Sequence, residues 1–168
     1  MCKTNRLPPG TGGTFAEQLA ALAAMPARLT EIAAEIPAAQ WKTRASNGGF
    51  SLTEQACHLR DIEIEAFRVR LERMLAETSP ALPDVDGAAL ARARDYHRQD
   101  LSKALAAFAA VRADTMHRLA SLSPAERRRS GAMERVGEIT IEGLVAKMLE
   151  HDGEHLEELM HLRRNLRS

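Results

Sequence analysis

Two histidines lie in the middle of an apolar stripe near the carboxyl end of the chain. Between residues 140 and 166, apolar residues recur at steps of three and four, the spacing of one face of an α-helix. The stripe comprises Ile141, Leu144, Met148, His151, His155, Leu159, Leu162 and Leu166. His151 and His155 are about 40° apart on the helical wheel and one turn apart. Because a buried polar group without a partner costs about 1–3 kcal/mol, the pair needs a partner, and a bound cation would serve both imidazoles.

Three earlier segments show the same helical periodicity, and together the four predict an all-α four-helix bundle. The predicted helices cover residues 15–36, 52–76, 96–122 and 140–166. Each has one apolar stripe, and packing the stripes together buries them in a common core.

Local signals support these bounds. Ser51 and Glu54 form a capping-box pattern at the start of the second helix. Pro26 is expected to kink the first helix, because proline removes one backbone hydrogen bond. Residues 80–87 and 123–138 are predicted loops, and residues 1–13, rich in glycine and proline, are a predicted flexible tail before a single domain over 14–168.

Composition narrows the function classes. The 23 basic and 23 acidic residues balance, which disfavours a nucleic-acid partner. The sequence contains no apolar run long enough for a membrane span and no apolar segment of a secretory signal, so no membrane association is expected. The two cysteines, Cys2 and Cys57, give no disulfide framework, and a reducing cytoplasm is the predicted location.

His58 is a third candidate ligand, because it borders the apolar stripe of the second helix. Facing helices of a bundle often build metal sites, and three histidines with an open position suit a catalytic divalent ion. Zn²⁺ is the first choice, with Ni²⁺, Fe²⁺ or Mn²⁺ as alternatives. The alternative interpretation is a set of hydrogen-bonded core histidines. Residues 151–155 (HDGEH) also match the H-x-x-E-H protease motif, but the chain ends too soon to supply that site's downstream carboxylate.

Motifs in the second and third helices resemble those of a known family. Residues 49–54 (GFSLTE) and 58–63 (HLRDIE) are similar to the GWS-x-x-E-x-x-x-HL-x-D-x-E pattern of DinB-like proteins. Phe50 replaces the usual tryptophan. Phe108 and Arg112 resemble the F-x-x-x-R of the third helix in that family.

The last helix extends this resemblance. Residues 137–141 resemble the G-x-x-T-hydrophobic start, and residues 151–155 resemble the HD-x-x-H end. The motifs follow the expected order over residues 15–166. The resemblance to the DinB-like (YfiT-like) metalloenzyme superfamily implies a four-helix bundle, a metal site of three histidines and a homodimer.

The resemblance also implies a leading function and two alternatives. The leading hypothesis is a divalent-metal-dependent transferase that joins a low-molecular-weight thiol to a small electrophilic substrate, since metal coordination favours the thiolate. The alternatives are a metal-dependent hydrolase and a non-catalytic metal-binding protein of stress response or dimerisation. An all-helical scaffold without metal is the remaining interpretation.

Three charged residues have predicted roles near this site. Arg112 interrupts the stripe of the third helix and is predicted to bind a carboxylate of the substrate or thiol. The alternative for Arg112 is pairing with an internal acid. Asp61 and Glu158 either accept the free N–H of a ligating histidine or are ordinary solvated charges.

Overall fold

The computed structural model describes residues 13–166, so the predicted tail lies, apart from Gly13, outside the described residues. The elements are α1 (Phe15–Ala34), α2 (Leu52–Ile62), a π-helical segment (Glu63–Arg68), α3 (Val69–Ala76), β1 (Ala81–Leu82), α4 (Gly87–Ala93), α5 (Leu101–Ala120), α6 (Pro124–Arg127), β2 (Ser130–Met133), β3 (Gly137–Thr140) and α7 (Ile141–Leu166). Short 3₁₀ turns cover Ala38–Gln40 and Tyr96–Arg98.

The predicted four-helix bundle is confirmed. Its helices are α1, the continuous run from α2 through the π-helical segment to α3, α5, and α7. Both α1 and α2 pack against α5 and α7, which places α1 and α2 on opposite sides of that pair. Among residues 13–166, no helix is both long enough and apolar enough to cross a bilayer.

Side-chain caps set where the helices begin. The predicted capping box is present, with Ser51 N donating to Glu54 at 2.9 Å and Glu54 N donating to Ser51 Oγ at 3.3 Å. The third predicted helix corresponds to α5. It begins later than predicted, at Leu101, because Asp100 caps it by accepting from Lys103 N at 2.8 Å. The residues before it form the separate 3₁₀ turn at Tyr96–Arg98.

The two predicted loops contain regular structure that the periodicity did not reveal. β1 pairs in parallel with β2, and β2 pairs antiparallel with β3, giving a 3-stranded sheet at one side of the bundle. The strands have at most 4 residues, too few for an alternating pattern to stand out from a polar loop. The first of these loops also contains α4, which begins at Gly87.

The π-helical segment changes which face of the second helix is buried. The stripe predicted for the second helix comprises Leu52, Leu59, Ile62, Ala66 and Val69. Val69 is 46% exposed, whereas Arg70 is 5% exposed and Leu71 is 2% exposed. A π-helical turn holds an extra residue, so the residues after it are rotated about the helix axis. The stripe prediction holds through Ala66, which is 2% exposed, and is wrong at Val69, where Arg70 turns inwards instead.

Pro26 lies inside α1, and the helix continues through it to Ala34. Proline has no N–H, so the carbonyl of Leu22, four residues earlier, has no donor within the helix. Arg112 supplies that donor, because its Nη1 lies 3.0 Å from the Leu22 oxygen. A side chain from α5 therefore completes the backbone hydrogen bonding of α1.

Candidate metal centre

The bundle brings the three predicted histidines together. His58 comes from α2, and His151 and His155 come from α7. The Nε2 atom of His151 lies 3.4 Å from that of His58 and 3.1 Å from that of His155. One ligand atom from each of the three lies within 4.8 Å of the others. We call His58, His151 and His155 the histidine cluster.

The geometry of the histidine cluster fits a divalent ion. Two nitrogens bound at 2.0–2.1 Å with a tetrahedral angle lie about 3.3–3.4 Å apart, close to the separations of the Nε2 atoms. The Nδ1 atoms of all three rings are buried and, among residues 13–166, make no hydrogen bond. Three imidazoles whose Nε2 atoms face one another are a donor set suited to a shared cation.

The electrostatics favour the neutral imidazoles that a metal requires. Burial, reinforced by the neighbouring histidines, lowers the pKa of His58 to about 3. Burial and His151 lower the pKa of His155 to about 4. Both rings are therefore neutral at physiological pH, which is the form that coordinates metal.

Each ring has a different environment on its Nδ1 side. Glu158 Oε2 lies 3.3 Å from His155 Nδ1, which is consistent with the predicted role of Glu158 as the acceptor beside a ligating histidine. Asp152 Oδ1 lies 4.0 Å from His151 Nδ1. His58 packs against the start of α4, where a Cβ on Gly87 would come within 2.5 Å of His58 Cε1.

Asp61 has partners other than a histidine. Its carboxylate accepts from Arg60 Nε at 2.7 Å and from Tyr96 Oη at 2.8 Å, and it pairs with Arg94 Nη1 at 2.9 Å. Burial alone would raise the pKa of Asp61, but the bonds from these three residues outweigh it and lower the pKa. Asp61 therefore ties α2 to the segment before α5.

A pocket of about 410 Å³ opens beside the histidine cluster. Apolar side chains from the second helix and the sheet form part of its wall, including Phe67 and Met133. Its charged residues are Arg70, Asp84, Lys147, Glu150 and Glu154. A small molecule in this pocket would lie against the histidine cluster.

Arg112 has the internal partners that its alternative interpretation describes. It is 1% exposed, with Nη1 donating to Asp152 Oδ2 at 2.6 Å and Nη2 donating to Asp152 Oδ1 at 3.0 Å. Its Nη2 also lies 3.0 Å from Glu63 Oε2. Burial raises the pKa of Glu63. We call Glu63, Arg112 and Asp152 the salt-bridge cluster, and its internal pairing opposes a substrate-binding role for Arg112.

The remaining candidates lie outside the histidine cluster, as predicted. Cys57 is fully buried, its Sγ contacts Gln99 Oε1 at 3.4 Å, and burial raises its pKa to about 11. The cluster of potential metal ligands among residues 13–166 does not include His97, His117 or His161. Glu154 is exposed beside the stripe, as expected, but it also lines the pocket.

Sequence reasoning missed four residues around the site: Glu63, Arg70, Gly87 and Asp152. Asp152 had a signal in the HD-x-x-H pattern, which placed an acid beside a ligand. Glu63 had a signal as the final acid of the HL-x-D-x-E pattern. Arg70 had none, because the rotation introduced by the π-helical segment is not visible in a helical wheel.

These features define a helical-bundle protein in which three histidines lie close enough together to hold one metal ion. The chain belongs to the DinB superfamily, whose sequence pattern it matches over residues 21–159. It is also similar to the structure described as "YfiT from Bacillus subtilis is a probable metal-dependent hydrolase with an unusual four-helix bundle topology". That similarity has a TM-score of 0.83 and 21% sequence identity, and it covers 95% of this chain and 93% of the other. A search of curated protein sequences found no match.

Proposed function

We propose that the protein is a divalent-metal-dependent enzyme that activates a small nucleophile in the pocket beside the histidine cluster. The observation that carries this proposal is the meeting of three Nε2 atoms at the wall of a pocket of about 410 Å³. Zn²⁺ is the first candidate, and Ni²⁺, Fe²⁺ or Mn²⁺ would use the same ligands. When bound, such an ion supplies Lewis acidity that lowers the pKa of a water or thiol placed against it.

The chain's own residues supply the other requirements of such a reaction. Glu154 is an exposed carboxylate on the pocket wall, one turn or less from both histidines of α7, which supports assigning it the role of accepting the proton of the nucleophile. Phe67 and Met133 give the pocket an apolar wall that holds a substrate body and displaces water. His58 is the third ligand, and its ring is held in place because it projects from α2 and packs against Gly87.

Two reactions are consistent with this arrangement. The first is transfer of a low-molecular-weight thiol to an electrophilic carbon: the thiol gives its proton to the base, and the sulfur displaces a leaving group. The second is hydrolysis, with water as the nucleophile. The sequence alone offered no obvious general base for hydrolysis. The place of Glu154 on the pocket wall supplies a candidate base and so strengthens the hydrolase alternative. The metal-dependent hydrolase description of the YfiT structure supports the same alternative.

Metal analysis tests the proposed site directly. We expect about one divalent ion per chain in the reconstituted wild type and almost none in His151→Ala. His161→Ala is the matched control, because His161 is exposed on the same helix and should leave binding unchanged. Less than about 0.1 ion per wild-type chain in metal-replete buffer would overturn the proposal.

Activity assays then distinguish the reactions. Metal-loaded protein is offered 1-chloro-2,4-dinitrobenzene with several low-molecular-weight thiols, and separately a panel of esters and amides without thiol. Glu154→Gln should reduce turnover of the active reaction about 10²–10⁴-fold while metal content stays the same. A metal-loaded wild type inactive in both panels would favour the non-catalytic metal-binding alternative.

Homodimer formation and a cytoplasmic location complete the proposal. The dimer is expected from the family resemblance alone. Sedimentation equilibrium tests it by comparing the measured mass with the 18.5 kDa of one chain.

A further inference from the structure

We propose that Arg70 binds a carboxylate of the substrate, so that the pocket selects small molecules with an acidic end and an apolar body. This inference deepens the proposed function and rests on it for the reaction that follows binding. The recognition step itself uses only the chain's own residues and is testable in protein without metal.

Arg70 is the buried cation of the pocket wall. It is 5% exposed and lines the same pocket as the histidine cluster. The other positive side chain of that wall, Lys147, is 32% exposed and pairs with Glu150 at 2.6 Å. A buried charge is screened less by water and salt than an exposed one, so Arg70 dominates the attraction for an anion inside the pocket.

The guanidinium of Arg70 is incompletely satisfied by the protein. Its Nη2 donates to the Pro83 carbonyl at 3.0 Å. Its Nε is buried and, within residues 13–166, has no hydrogen-bond partner. Leaving such a donor unpaired costs about 1–3 kcal/mol, and a ligand acceptor would recover this cost once the guanidinium rotates to turn the N–H towards the pocket.

Asp84 does not neutralise Arg70 in the way that Asp152 neutralises Arg112. The closest approach, from Arg70 Nη2 to Asp84 Oδ1, is 3.6 Å, and the Asp84 side chain is 47% exposed. The other oxygen of Asp84 lies 3.8 Å from Arg135 Nη1, so its charge is shared between two arginines. Glu150 and Glu154 are the other acids of the wall, and both are at least partly exposed.

The pocket places the apolar wall between two polar ends. Arg70 belongs to α3, and the histidine cluster belongs to α2 and α7, with Ile62, Ala66 and Phe67 lining the same pocket. A molecule that fills it therefore presents its reacting group to the histidines, its apolar body to this wall and its acidic end to Arg70. A planar guanidinium suits a carboxylate, because the fork can donate two parallel hydrogen bonds.

The test compares binding of 3-phenylpropionate with that of the neutral 3-phenylpropanamide, measured by ligand-observed NMR titration at pH 7. Metal-free wild-type protein should bind the carboxylate about tenfold more tightly than the amide. Arg70→Gln should reduce this ratio to about one, and Arg70→Lys should restore part of it. Lys147→Gln is the matched control and should change the ratio less than about twofold.

Each outcome separates this inference from the proposed function. Equal affinity for the two probes in folded wild type overturns the role of Arg70, even if Arg70→Gln does not fold. Loss of the preference in Lys147→Gln but not in Arg70→Gln overturns it as well. A carboxylate preference in a protein that binds no metal would support Arg70 and reject the enzymatic proposal.

Discussion

The two polar clusters inside the bundle differ in what satisfies them. The salt-bridge cluster is closed by ion pairs, because Arg112 lies 3.0 Å from Glu63 and 2.6 Å from Asp152, while within residues 13–166 the Glu63 oxygens and Arg112 Nε make no hydrogen bond. The histidine cluster is open: the rings of His58 and His155 are neutral, the Nε2 atoms of the cluster point at one another, and a pocket adjoins them. His151 and Asp152 are neighbours on α7, so one helix turn contributes to both clusters. The adjoining pocket therefore distinguishes the buried cluster that is suited to binding from the one that is paired internally.

Breaking the salt-bridge cluster should have the largest effect on stability. Arg112→Met leaves two acids buried without their cation and is expected to lower the free energy of unfolding by about 3–5 kcal/mol. Urea denaturation monitored by circular dichroism measures the loss. The control is Arg118→Gln, whose partner Glu72 lies 3.5 Å away at the surface, and it should cost less than about 1 kcal/mol. Similar losses in the two variants would contradict a structural role for the cluster.

Asp61 is a second internally paired charge, a buried carboxylate bonded to Arg60, Tyr96 and Arg94, and its removal should cost less than that of Arg112. Asp61→Asn should lower the free energy of unfolding by about 2–3 kcal/mol, because three bonds to the charged form are weakened. Since the folded state lowers the pKa of Asp61, this stabilisation is complete above the ordinary carboxyl range. It is lost as the pH falls through the lowered pKa.

Denaturation of wild type and Asp61→Asn between pH 7 and pH 2 measures this dependence. The difference between them should narrow below about pH 4. Asp114→Asn, at an exposed position of α5, provides the reference and should show no such narrowing. A difference that stays constant over the whole range would show that the charge of Asp61 is not the stabilising element.

Gly87→Ala should disturb the histidine cluster while sparing the salt-bridge cluster. The added methyl would lie 2.5 Å from His58 Cε1, so the ring must move. We expect metal affinity to fall about 10–100-fold, with a change in unfolding free energy below about 1 kcal/mol. Isothermal titration with Zn²⁺ measures the affinity.

Gly153→Ala is the matched control for this substitution. Gly153 lies on α7 between the two histidines, but a Cβ there meets nothing within 4 Å. It should leave Zn²⁺ affinity unchanged and raise stability by about 0.5–1 kcal/mol through helix propensity. Equal losses of affinity in both variants would contradict the contact between Gly87 and His58.

Glu158→Gln should have the smallest effect, because it alters the environment of one ligand and one hydrogen bond, from Gln55 Nε2 at 2.6 Å. Glu158 lies 3.3 Å from His155 Nδ1 and its side chain is 58% exposed. Zn²⁺ affinity should fall about tenfold, at the lower end for such partners, with little change in stability. Glu157→Gln, at the neighbouring exposed position, should have no effect on affinity. Identical titration curves for both variants would remove Glu158 from the metal centre.

Much of the fold and the identity of the three histidines were accessible from sequence, because both depend on helical periodicity. An i, i+4 pair in an apolar stripe fixes two ligands on one face, and the capping box at Ser51 fixes where α2 begins. What periodicity could not show was any departure from regular helix. The π-helical segment rotates Arg70 into the pocket wall, and the short strands have too few residues to show alternation.

The partners of Arg112 were also inaccessible for a physical reason. An arginine in a core stripe has the same appearance in sequence whether it faces a ligand or internal acids. Glu63 and Asp152 are separated from it by many residues along the chain, and only the packing of α5 against α2 and α7 brings the three together.

The bond from Arg112 to the Leu22 carbonyl has a consequence for how the helices are assembled. Two helices that meet only through apolar side chains can shift along each other by one turn at little cost. The Leu22 carbonyl, which Pro26 leaves without a donor, can accept from Arg112 at one axial position only. Sliding α1 along its axis would leave that oxygen dehydrated and unbonded. The carbonyl that Pro26 leaves without a donor in α1 thus sets the axial register between α1 and α5.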